Sequence, residues 1–340
     1  MTRSSPGLRA EVLTTAAELH AITEEWSDLV DHDARASPFQ DHQWLLSWMT
    51  SVMPSSEEVV VLTVRDAQCR LVAMVPLCGD AATLRWLGDE SSDHLDAIVR
   101  NGWEDEAHRT IARSLSAMGV ALYLRDVPEG GHMLDVAARL PSDQVRTTRG
   151  SASLFVCGTD LDTILAGLDR RRRESARRTL RRMTDDGLRW TTVDPKRSAV
   201  DVATQRWVRL HRAYWARRSL IPAHATTAFE QLIAQAVKGW TTSERQSGIH
   251  ELVTPDGSVL VSDLLLVSDE RIVVSYLFGA TAEARSRYEI NTVLMKNWLE
   301  VARRTGADRV WLGRGDEPYK LKWRPDATST IHLLVNGRQG

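Results

Sequence analysis

The sequence predicts a mixed α/β protein built in two halves, each a mostly antiparallel sheet flanked by helices. Three observations carry this. The chain has 340 residues, about two domains at roughly 150 residues each. Helical and extended patterns alternate in both halves. Late in the second half, three extended runs are joined by turn sequences into an antiparallel meander. With 43% hydrophobic and 26% charged residues, a disordered, collagen-like or coiled-coil chain is excluded. The expected division is 1–150 and 151–340.

The first half opens with a short extended run, after which Leu19, Ile22, Trp26, Leu29 and Val30 fall at helical spacing. Beyond Pro38-Phe39-Gln40, residues 43–52 read as a helix with Trp44, Leu45 and Trp48 on one side. Runs at 59–64 and 71–77 are apolar and β-branched around Arg65-Asp66-Ala67-Gln68, a hairpin pattern. A strand at 84–87 closes at Gly88. Residues 103–118 read helical, 121–124 extended and 132–140 helical.

In the second half a strand at 154–157 precedes a helix from Leu161 that runs through an arginine-rich stretch. Long helices are expected at about 198–218 and 226–239. The meander spans 249–253, 258–267 and 271–278, turning at Thr254-Pro255-Asp256-Gly257 and Ser268-Asp269-Glu270. A helix over about 291–304 stops at Gly306, placed as a C′ glycine, and 309–312 is the next strand.

The net charge of −2 conceals a split: residues 1–150 carry 13 basic and 23 acidic side chains, whereas 151–340 carry 30 and 22. The second half is the one to attract an anion, and the acidic first half favours a cationic acceptor. Cys69, Cys78 and Cys157 are too few and too widely spaced for a disulfide framework or a metal ribbon. With no apolar signal core at Met1-Thr-Arg-Ser-Ser-Pro and no window of 18 apolar residues, a cytoplasmic protein without membrane insertion is expected. The phosphate-loop, dinucleotide, zincin and nucleophile-elbow motifs are absent.

Four features remain as candidate chemistry. Asp93-His94-Leu95-Asp96 is the one compact His/carboxylate group; it lacks a further ligand, so a substrate-contacting turn or plain polar loop is expected and no metal. Eight arginines between Arg170 and Arg182, Arg173 and Arg177 among them, crowd fewer than four helical turns. Two readings fit: a guanidinium patch for phosphates of a cofactor or of tRNA, or a solvated face paired with acidic groups. No aromatics interleave, so sequence-specific reading of DNA is not expected. Gly313 to Trp323 places Arg314, Asp316, Glu317, Tyr319 and Lys320 on a polar loop after a strand, either a catalytic loop or a salt-bridged turn. Asp263 interrupts an apolar run, where a carboxylate is costly unless paired, functional or on a solvated face.

Gly315-Asp316-Glu317-Pro318-Tyr319-Lys320 followed by Trp323, at the end of a helix–Gly–strand unit, resembles the C-terminal signature of CelD-type acyltransferases of the GNAT superfamily. Ser37-Pro38-Phe39-Gln40 with Trp44 and Trp48, Val75-Pro76-Leu77, Leu87-Gly88, Ser92 to Asp96 and the arginine helix before Asp186-Gly187 extend the resemblance over most of 35–325. It implies two tandem GNAT-like domains, as in the related Fem-type aminoacyltransferases. One departure stands out: where the family shows a Ser-Pro-Gly turn near the acyl donor, this chain has Tyr288-Glu289-Ile290-Asn291-Thr292.

The resemblance implies an N-acyltransferase that moves an acyl group from acyl-CoA to the amine of a small-molecule or precursor acceptor by direct attack. Asp263 or Asp316 is expected as base or amine anchor, Tyr276 or Tyr319 as acid and Lys320 as electrostatic stabiliser. Arg173, Arg177, Asn291, Thr292 and Arg314 would bind the donor, and Trp44, Asp93, His94, Glu317 and Trp323 the acceptor. Aminoacyl-tRNA is the alternative donor, and a binding protein with a decayed donor site the third reading.

Overall fold

A computed structural model describes residues 7–158, 160–193, 197–216, 226–242, 246–268 and 271–337. The expected turn residues Asp269 and Glu270, positions 217–218 of the first long helix, and residues 1–6 lie outside them. In chain order the elements are β1 (Arg9–Leu13), α1 (Ala16–Ala21), α2 (Thr23–Asp31), a 3-10 turn (Pro38–Gln40), α3 (His42–Ser51), β2 (Glu58–Arg65), β3 (Leu71–Gly79), β4 (Thr83–Trp86), β5 (Ile98–Val99), α4 (Glu104–Met118), β6 (Ala121–Pro128), α5 (His132–Ala137) and β7 (Val145–Cys157). There follow α6 (Leu161–Ala166), α7 (Arg170–Asp185), β8 (Arg189–Thr192), α8 (Arg197–Ala216), α9 (Thr227–Thr242), β9 (Gly248–Val253), β10 (Val259–Ser268), β11 (Ile272–Ala280), α10 (Ala282–Arg287), α11 (Ile290–Thr305), β12 (Arg309–Arg314), α12 (Pro318–Leu321) and β13 (Asp326–Val335).

The chain divides into two compact units, Met1–Ser151 with Thr328–Gly340, and Ala152–Ala327. Residues from Thr328 onward, expected in the second half, thus group with the first. Unit 1 orders its strands β1-β2-β3-β4-β6-β13, with β5 off β3. Its core is built on tryptophans whose indole N–H groups all find acceptors: Trp26 donates to the Gln40 carbonyl at 2.9 Å, Trp44 to Ser92 Oγ at 2.7 Å, Trp48 to Ser91 Oγ at 3.2 Å and Trp86 to the Arg125 carbonyl at 3.1 Å. A buried tryptophan without such an acceptor would carry an uncompensated donor.

Unit 2 orders β12-β11-β10-β9-β8 beyond the inner end of β7. The meander β9–β10–β11 is antiparallel and β11–β12 parallel. One face buries Val293, Leu294, Trp298, Val301 and Ala302 of α11 against Val261, Leu265 and Val273 of the sheet. Gly306 ends α11 with φ +72°, the left-handed geometry expected of it. No described helix is long and apolar enough to cross a membrane.

Two helices expected as continuous are broken. The 19–30 pattern splits at Ile22, whose ψ of 10° ends α1 and starts α2 while Leu19, Ile22, Trp26, Leu29 and Val30 stay buried on one side. The arginine helix restarts at Asp169, whose carboxylate accepts from the Arg172 backbone N–H at 3.0 Å; an N-cap of this kind nucleates α7 afresh. The unexpected strands β5, β8, β13 and the outer part of β7 are short or polar, so period-2 alternation marks them poorly.

Candidate active site

The sheet of unit 2 opens between β11 and β12. Their parallel pairing runs only from Ile272 to Val274 against Arg309 to Trp311, although β11 continues to Ala280 and β12 to Arg314. β11 also carries one extra residue, Tyr276, where Leu265 pairs with Ser275 and Leu264 with Leu277. Such a bulge adds local twist and ends regular pairing. Past it, α8 takes up two β11 carbonyls: Trp207 Nε1 donates to Leu277 O at 3.1 Å, and His211 Nδ1 lies 2.9 Å from Phe278 O. Gly279 is required here, since a Cβ would stand 2.5 Å from the His211 backbone nitrogen.

The N-terminus of α11 lies at a small pocket lined by Leu168, Arg172 and Ala176 of the α6–α7 region, Glu289, Asn291 and Thr292, and Lys322 with Trp323. Three expected ligand residues, Asn291, Thr292 and Trp323, thus converge. Sequence reasoning missed Arg172 and Lys322. The signal for Arg172 was present: Ala176, Thr179 and Met183 mark the inward face of α7, and Arg172 precedes Ala176 by one turn. A helix N-terminus flanked by two cations suits phosphate. Glu289 opposes it: it holds the N-cap position without a side-chain cap and accepts instead from Thr292 Oγ1 at 3.0 Å.

The other arginines divide. Arg173 Nη1 donates to the Ala166 carbonyl at 3.0 Å and so finishes α6, away from the expected donor role. Arg172 pairs with Asp169, Arg170 with Glu174, and Arg182 donates to the Arg287 carbonyl. Arg171, Arg177, Arg178 and Arg181 are exposed, with no ion pair among the described residues. At the far end of α7, Asp186 accepts from Arg287 at 2.9 Å and from the Tyr288 hydroxyl, whose pKa burial pushes up to about 12.

The loop after β12 is tied to its own backbone. Lys320, buried at 4% exposure, donates to the Arg314 carbonyl and pairs with Glu317 at 2.8 Å. The Gly315 N–H reaches Ala152 O at 2.8 Å. Lys320 is therefore a staple inside the turn, and its expected role of stabilising charge on a substrate is corrected. Glu317 is Lys320's partner at the surface. Tyr319 and Asp316 are exposed, and the Tyr319 ring centre is 5.9 Å from the Lys320 ammonium. Trp323 packs into the apolar cluster of unit 2.

Asp263 is fully buried, not on a solvated face. Its Oδ2 accepts from Trp298 Nε1 at 2.7 Å and its Oδ1 has no partner. Burial raises its pKa to about 7, against the pull of Trp298 and Asn297. Its β9 neighbour His250 is also buried, its pKa lowered to about 4 by desolvation and by Arg304, with Nε2 unpartnered. Enclosed this way, Asp263 is closed off from a substrate, which departs from its expected base role, whereas Asp316, the other expected base, is exposed on the loop. Tyr276 is half-buried at the bulge, 6.4 Å between ring centres from Phe229.

Trp44, Asp93 and His94 belong to unit 1. Trp44 is a core residue with 0% exposure, so its expected acceptor contact is corrected. His94 is buried in a turn at φ +49°, and Asp93 is half-buried beside it. The carboxylate that matters in this motif is Asp96, which accepts from the N–H groups of Ala97 at 2.8 Å, His132 at 2.5 Å and Met133 at 2.8 Å, and so caps α5.

Residues 170–321 match the family described as the acetyltransferase (GNAT) domain. That stretch, under half of the chain, is similar to a GNAT domain. No curated protein matches the chain by sequence. Solved structures resemble it in fold: a C-terminal DUF2156 domain assigned to a lysylphosphatidylglycerol synthetase from Agrobacterium fabrum (14% identity, TM-score 0.60, 94% of this chain and 93% of that one), the L-PGS of Bacillus licheniformis (11%, 0.59, 96% and 93%) and FemX (12%, 0.52, 96% and 97%). At these identities the likeness is one of fold. The matched stretch contains the β11–β12 opening, the α11 N-terminus and most of the loop, and supports acyl transfer in general.

Proposed function

We propose that the protein is an N-acyltransferase that uses acyl-CoA and an amine acceptor. The observation that carries the reading is the opening between β11 and β12 with the α11 N-terminus, Arg172 and Lys322 beside it. An extended donor fits between strands that cease to pair, and its phosphates fit N–H groups and cations. Asn291 and Thr292 line the phosphate end, with Arg177 and Arg314 as outer contacts.

The acceptor amine attacks the thioester carbonyl directly: a C–N bond forms, the C–S bond breaks, and the ammonium proton must leave. Asp316, exposed on the loop, anchors the ammonium and takes that proton; Tyr319, or Tyr276 at the bulge, returns one to the departing sulfur. Holding the two reactants together supplies much of the rate, up to about 7–11 kcal/mol in well-oriented systems. Calorimetry with acetyl-CoA, followed by thiol release across an amine panel, tests the reading. Micromolar binding with amine-dependent release supports it; neither binding nor release ends it.

A second reading, aminoacyl-tRNA as donor, has its own observation in the four unpaired arginines on α7. It predicts tRNA binding that weakens steeply with salt, measured in the same titrations.

A further inference from the structure

We propose that His108, His132 and Asp135 in unit 1 bind one divalent transition-metal ion, zinc(II) by preference, and so fasten α5 to α4. Among the described residues these three form a group of metal-ligating side chains whose donor atoms all lie within 4.8 Å of one another. The histidines are 2% exposed and Asp135 is half-buried.

Geometry and tautomer agree. His108 Nε2 and His132 Nδ1 stand 3.0 Å apart. Two ligands on one zinc at about 2.0–2.1 Å in tetrahedral array are about 3.3 Å apart. His132 is oriented from behind: its Nε2 lies 3.2 Å from Asp33 Oδ1. Asp33 accepts from Arg35 N at 2.8 Å and Val99 N at 2.9 Å, so it is an acceptor on both oxygens. The proton between His132 and Asp33 is therefore on His132 Nε2, which directs the Nδ1 lone pair towards His108. A carboxylate behind a histidine that ligates through its other nitrogen is the usual outer shell of a metal site. Asp96 fixes the start of α5 through the His132 and Met133 N–H groups, and Gly131 allows the approach, since a Cβ there would sit 2.5 Å from Asp96 Oδ2.

Arg35 pairs with Asp135 at 3.1 Å and Arg139 donates to the Asp135 carbonyl at 2.6 Å. Asp135 is thus the weakest of the three ligands, and solvent completes the fourth position. Three ligands in a His, His-x-x-Asp pattern with nitrogen and oxygen donors suit zinc or cobalt better than calcium or magnesium.

The test titrates the chelator-treated full chain with cobalt(II), read by visible absorption, and with zinc(II), read by calorimetry. One equivalent of each is expected, with a zinc-dependent rise in Tm. His108→Ala should abolish both, Asp135→Asn should weaken affinity about tenfold, and His20→Ala should change nothing. If His108→Ala does not fold, X-ray absorption of the zinc-loaded wild type decides. Two imidazole nitrogens near 2.0–2.1 Å and no sulfur support the site, while scattering from sulfur near 2.3 Å overturns it. Absence of one-equivalent binding, or binding that His108→Ala leaves intact, also overturns it.

Discussion

Asp96 in unit 1 and Asp263 in unit 2 are both buried carboxylates, and burial raises both, to about 6 and about 7. Their surroundings differ. Asp96 accepts from three backbone N–H groups and holds the start of a helix. Asp263 accepts from one indole and leaves an oxygen bare next to His250. Among the described residues unit 1 leaves few buried side-chain atoms without a partner, at Ser37, Ser51 and Arg100. Unit 2 leaves more, Asp263 Oδ1 and His250 Nε2 among them, and its strands β11 and β12 part after three residue pairs; a buried polar atom without a partner costs stability.

The largest effect is expected at the fixed carboxylate. Asp96→Ala strands three buried N–H groups and should lower unfolding free energy by about 3–5 kcal/mol in urea denaturation. A loss below about 1 kcal/mol would erase the contrast with Asp263. Next comes the pocket at α11. Arg172→Ala combined with Lys322→Ala should raise the acetyl-CoA Kd about 10- to 100-fold, roughly 1.4–2.8 kcal/mol, with Tm little changed. Unaltered affinity in calorimetry would move the donor elsewhere.

Asp263 sharpens the comparison through pH. Its folded pKa lies above the unfolded value, so its contribution is whole below about pH 4 and is lost as pH rises through about 7. His250, depressed to about 4, contributes above its unfolded value and loses this as pH falls towards 4. Between those limits the pair is a neutral acid beside a neutral imidazole. Asp263→Asn should thus gain Tm relative to wild type between pH 6 and 8, by roughly 2–4 °C if the difference is about 1 kcal/mol. Parallel wild-type and variant curves would show that Asp263 does not titrate there.

Much of this was legible in the chain and some was not, for identifiable reasons. The meander, the Gly306 stop and the helices that bury Trp26 and Trp44 follow from local periodicity and turn chemistry. β13 and the outer part of β7 are polar, and their ladder partners lie far off in sequence. At the candidate site, Trp323 stands in the loop signature and Asn291 and Thr292 where the family's Ser-Pro-Gly turn is missing, whereas residue type cannot tell an ammonium aimed at solvent from one turned, like that of Lys320, onto its own loop. His108 and His132 are 24 positions apart and meet only because α4 packs on α5, so no spacing rule announces them.

The last comparison tests which unit meets the acceptor. Trp44 is fully buried with its N–H spent on Ser92 and its ring edge-on to Phe39 at 5.5 Å. Trp44→Phe keeps most of the apolar volume and removes one hydrogen bond, so the loss should be about 1–2 kcal/mol, including the cost of leaving the Ser92 hydroxyl short of a partner. Under the core reading, turnover with any amine acceptor is unchanged and only the denaturation midpoint moves. A rise in KM for the amine at unchanged midpoint would return Trp44 to the acceptor site and give unit 1 a part in recognition. Tyr319→Phe, which deletes one exposed hydroxyl, should do the reverse: a lower kcat on an unaltered denaturation curve.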